Sequence, residues 1–70
     1  MNTEKYLIEK YGPLLTLAQV AEIFGRSPDG LRFTIRQESI FGVRLKAEKK
    51  TLGRRVYFHT AGIARLIDES

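Results

Sequence analysis

The stretch after Ser27-Pro28-Asp29-Gly30 decides the fold class of this chain, because those four residues introduce two incompatible continuations. As a turn they release a half-buried strand, with Leu31, Phe33 and Ile35 alternating against Arg32, Thr34 and Arg36. As a helix start, Ser27 is the N-cap, Pro28 the first helical residue and Asp29 an acid in the first turn. Leu31 and Ile35 then share one face. The helix costs about 1 kcal/mol at Gly30 and a few tenths each at Phe33, Thr34 and Ile35. Burial of Leu31 and Ile35 offsets that several-fold, but a strand could equally pair with segments downstream. Local energetics leave both open.

The rest of the chain is less ambiguous. Thr3 is placed to cap a helix running to about Tyr11, with Leu7, Ile8 and Tyr11 on its apolar face, and Gly12-Pro13 stops it. Leu14-Leu15 is a short extended bridge. Thr16 caps a second helix, with Leu17, Val20, Ala21 and Phe24 at i, i+3, i+4 and i+7 and Gly25 at its end. Ile40-Phe41-Gly42 reads as a turn. Val43, Leu45 and Ala47 alternate with Arg44, Lys46 and Glu48 as a strand does. Glu48 to Gly53 is a basic loop, and Val56 and Phe58 mark a return strand, so residues 43–59 form a hairpin. Thr60 caps a last helix carrying Ile63, Leu66 and Ile67.

Seventy residues hold one domain, near the lower size limit for folding alone. The absence of cysteine excludes disulfides, thiolate metal sites and a cysteine nucleophile. No apolar run matches a signal peptide or a membrane span, which points to a soluble cytoplasmic protein with no membrane partner. His59 is the only histidine, and no glycine-rich phosphate loop, acidic pair or nucleophile arrangement accompanies it. No catalytic residue, metal site, cofactor or small-molecule substrate is therefore expected, and the protein is not read as an enzyme.

Charge is unevenly placed. The net charge is +4, yet residues 26–55 hold nine bases and three acids, a balance of +6, and the remainder is mildly acidic. One face is thus expected to meet a polyanion.

Spacing favours the helical continuation. A helix-turn-helix needs a small residue where its helices cross, a turn residue at the end of the first, and an apolar plug early in the second. Ala21, Gly25 and Leu31 stand at those places. The stretch "LTLAQVAEIFGRSPDGLRFTIR" resembles the helix-turn-helix of bacterial regulators. With "GRRVYFHTAGIARLID" after a hairpin, the chain is most similar to the winged-helix domains of the excisionase, AlpA and MerR group, from Leu15 to Ile67. The resemblance implies a mostly helical α+β fold, a small winged helix-turn-helix with a two-stranded hairpin wing and flanking N- and C-terminal helices. Residues 1–12 form an additional helix, 16–37 the helix-turn-helix, 43–59 the wing and 60–69 the last helix. Arg26 departs from the pattern, which usually has an apolar residue in the turn.

The implied function is sequence-specific binding of double-stranded DNA, as a small transcriptional regulator or an excisionase-like architectural factor. Asp29, Arg32, Phe33 and Arg36 are the candidates for base contact. Arg32 and Arg36 project together from the helix face opposite Leu31 and Ile35, and an arginine fork suits guanine or phosphate. Phe33 could meet a thymine methyl or pack on the wing. Arg26, Ser27, Arg44, Lys46, Lys49, Lys50, Arg54, Arg55, Tyr57 and His59 are the candidates for the DNA backbone. The first helix is expected to dock on its own domain or on a second copy. In a homodimer, recognition helices about 34 Å apart would match half-sites one DNA turn apart. The other reading is a protein-interaction module that uses the first helix and the hairpin to bind a larger partner.

Overall fold

In a computed structural model that describes residues 2–69, the chain runs α1 (Thr3–Tyr11), β1 (Leu14–Thr16), α2 (Leu17–Ile23), α3 (Pro28–Arg36), α4 (Ile40–Ala47), β2 (Lys49–Leu52), β3 (Arg55–His59) and α5 (Thr60–Glu69). The result is a small, mostly helical α+β fold with five helices and a three-stranded antiparallel sheet among the described residues. None of these helices is long and apolar enough to cross a membrane.

The disputed segment is a helix. The Ser27 hydroxyl accepts the Gly30 N–H at 3.0 Å, and Pro28 occupies the first turn, where its missing donor costs nothing. Leu31 is fully buried, and Ile35 packs at the edge of the same core. Upstream, Thr16 and Gln19 form a reciprocal capping box at the start of α2, at 3.1 and 2.9 Å. Gly25 ends α2 with φ +68°. The N–H groups of Gly25 and Arg26 donate back to Glu22 and Ala21, a Schellman arrangement.

Four expectations are corrected. Residues 40–47 form neither a turn nor a strand but α4, capped by the Ser39 hydroxyl on the Gly42 N–H at 3.0 Å. Leu45 and Gly42 are buried and Phe41 half-buried on its inner side, whereas Val43 and Ala47 of the alternating pattern face solvent. The hairpin therefore begins at Lys49, inside the segment read as a loop, and its strands are Lys49–Leu52 and Arg55–His59. Its two-residue turn places Gly53 at φ +63° and Arg54 at negative φ, the sign pattern of a type II′ turn.

The sheet also has a third strand. Leu14–Thr16 pairs with the free edge of β3 in the order β1-β3-β2, with Leu15 opposite Phe58. Both side chains are fully buried, which is why three residues suffice for a strand there. Finally, two caps differ. Asn2 caps α1 in place of Thr3, whose hydroxyl instead donates to Asp68 at 2.7 Å. Thr60 is the first residue of α5, and its buried hydroxyl donates to the Gly12 carbonyl at 2.8 Å.

The core joins Leu15, Val20, Ala21, Leu31, Leu45, Phe58, Ile63 and Leu66. It thus collects side chains from β1, β3 and every helix except α1. The first helix lies against α5, where it buries Leu7 and leaves Tyr6 and Ile8 partly exposed.

Candidate functional site

Packing sets the orientation of α3. Its inner face carries Leu31, Thr34 and Ile35, so Arg32 and Arg36 must project outward one turn apart. The buried Thr34 hydroxyl donates to the Gly30 carbonyl at 3.0 Å and accepts from the Arg26 guanidinium at 2.9 Å. That guanidinium also lies over the Phe41 ring, 5.6 Å from its centroid, and Phe41 meets Phe24 edge-on at 5.3 Å. Arg26 ties the α2–α3 turn to α3 and α4 by a charge-assisted hydrogen bond and a cation–π contact.

The outward face of α3 forms one wall of an open groove of about 650 Å³, and the hairpin forms the other. Arg32 and Arg36 line it from α3, Lys46 from α4, and Lys49, Arg54 and Arg55 from the hairpin. Leu17, Ile35 and Val56 supply apolar surface over the buried Phe58, and Thr16 and Tyr57 add hydroxyls. Among the described residues that line it, none is acidic. Arg32 is paired with Asp29, but the other five cations share the concavity without an ion-pair partner among the described residues, and a bound polyanion would relieve their mutual repulsion.

Seven sequence candidates meet in this groove: Arg32, Arg36, Lys46, Lys49, Arg54, Arg55 and Tyr57. The others lie elsewhere. Arg26 is held in the turn by Thr34 and Phe41, and the Ser27 hydroxyl is used in capping. Asp29 is exposed and pairs with Arg32 at 2.9 Å. Phe33 is 63% exposed and does not line the groove. Arg44 and Lys46 were expected on one strand face, but the helix sends the two to different sides, and Arg44 pairs with Glu69 of α5. Lys50 lies opposite Tyr57, and His59 opposite Leu14; both are exposed and outside the groove lining.

Thr16, Leu17, Ile35, Val56 and Phe58 were not among the candidates, although they line the groove. Ile35 gave no signal beyond its core periodicity, and the structure places it both at the edge of the core and on the groove wall. No group of three metal-ligating side chains occurs among the described residues. No protein-family model matches the chain, and no curated protein and no solved structure matches it either.

Proposed function

We propose that this chain is a winged helix-turn-helix protein that binds double-stranded DNA sequence-specifically, as a small regulator or an architectural factor. In this reading α2, the turn through Arg26 and α3 are the helix-turn-helix, and β2 with β3 is the wing. The observation that carries it is the groove. Six bases on α3, α4 and the hairpin face a common space with no acid among the described lining residues. The outward face of α3 enters the major groove, where Arg32 and Arg36 reach base edges. The hairpin bases hold the adjacent phosphates, which position the protein without reading sequence.

Fluorescence anisotropy with labelled duplex tests this across a salt series. Engagement of four phosphates, by Lys46, Lys49, Arg54 and Arg55, predicts a log–log slope of roughly −3.6. Selection from random duplex should then return a preferred site. Absence of binding to any duplex at low salt overturns the proposal. An interaction module would then take its place, a reading favoured by Ile40 and Val43, which stand 84% and 59% exposed on α4.

A further inference from the structure

We infer that Asp29 is a specificity-determining residue of this surface, one that withholds Arg32 from phosphates and yields it to a base edge. The inference rests on the DNA-binding reading. Among the described residues, Arg32 is the only one of the six groove bases paired with a carboxylate. The pair spans one turn of α3, with Arg32 Nη1 2.9 Å from Asp29 Oδ1, and it is solvent-facing, with side-chain exposures of 57% and 92%. It therefore stands on the surface that meets a ligand rather than inside the fold.

The chemistry of the two possible ligands differs. A phosphodiester offers acceptors only and carries the same charge as Asp29. To engage Arg32 it must displace a tethered carboxylate and approach a second negative charge. A guanine–cytosine pair presents two acceptors, N7 and O6, beside the N4 donors of cytosine. The guanidinium has five N–H donors, so one edge can stay on Asp29 while the other meets guanine. Asp29, in the first turn of α3, is free to accept from cytosine with its second oxygen. Helix N-terminal residues are the ones that reach base edges in this mode of docking. The ion pair thus opposes the sequence-blind contact and is compatible with the sequence-reading one.

Exposed ion pairs are weak, so the effect is several-fold. The test compares wild type, Asp29→Ala, Asp29→Asn and Glu9→Ala on the selected duplex and on random duplex across a salt series. Glu9 is an exposed acid on α1 that does not line the groove, and it controls for net charge. Asp29→Ala should bind random duplex about 3- to 10-fold more tightly, with a slope steeper by about one unit as Arg32 gains a phosphate. Affinity for the selected site should not rise, so the specific-to-random ratio falls by a similar factor. Asp29→Asn should move in the same direction, and Glu9→Ala should leave the ratio unchanged. A ratio unaltered in both Asp29 variants, or altered equally by Glu9→Ala, overturns the inference while leaving DNA binding intact. If wild-type protein binds no duplex, the DNA-binding reading falls and this inference with it. Thermal melting of each variant separates a loss of helix stability from a change in the ratio.

Discussion

At the level of single residues, the positive charges differ in what holds them. Arg26 and Arg44 are committed to Thr34, Phe41 and Glu69, and Arg65 stands 3.7 Å from Glu48. Arg36, Lys46, Lys49, Arg54 and Arg55 face the groove with no ion-pair partner among the described residues. Among these, backbone support separates two behaviours. Arg36, like Arg32, is carried by a helix packed on the core, so its fork can be aimed. Lys49 is a point charge on an edge strand whose residues are all exposed. On the proposed DNA-binding reading, replacing Arg32 or Arg36 with alanine should therefore cost about 1–3 kcal/mol on a preferred site and much less on random duplex. Lys49→Ala should weaken both by similar factors, which competition binding on the two duplexes will resolve. Equal losses for all three variants would mean that no base is read.

At the level of elements, the close approach of α4 to the C-terminal end of α3 is what brings Lys46 to the groove. Gly42 makes that approach possible. A Cβ at this position would stand 2.5 Å from the Thr34 carbonyl oxygen and 2.7 Å from that of Gln37. Both obstacles are backbone atoms and cannot rotate aside. Gly42→Ala should consequently destabilise the protein by about 1–3 kcal/mol, despite the higher helix propensity of alanine. Denaturant unfolding measures it, and a stabilised variant would mean that the helices are farther apart. Gly62 is a similar case, since its missing Cβ leaves room for the Glu48 side chain, although there a flexible side chain is the obstacle.

At the level of the whole molecule, α1 is an outrigger on α5. Leu7 is 4% exposed, Thr3 bonds Asp68, and Thr60 reaches back to the carbonyls of Gly12 and Pro13. The helix thus already covers its principal apolar side chain within one copy of the chain. Leu7→Ala should lower stability by roughly 2–3 kcal/mol, near the bottom of the range for buried leucine because the site is peripheral. Removal of residues 1–11 should lower the melting temperature further. Melting curves for the two variants check this, and unchanged stability after the deletion would leave α1 without a structural role in the monomer.

What the sequence determined by itself was the punctuation around α2 and α3. The Thr16 cap, the Gly25 stop and the Ser27-Pro28 start each depend on backbone groups a few residues away, so their signals are complete within a short window. The pairing of Arg32 with Arg36 on one outward face came from the same helical period. Tertiary structure alone decided the rest. Val43-Arg44-Leu45-Lys46-Ala47 alternates like a strand, but burial of Leu45 beside Phe41 and Gly42 against α3 makes it a helix with Val43 outside. Leu14–Thr16 is a strand only because β3 offers an unpaired edge and Phe58 a buried neighbour for Leu15. The groove belongs to the same class, since Arg32 and Arg55 lie far apart along the chain. Their convergence depends on packing between α3, α4 and the hairpin, which no short window of sequence contains.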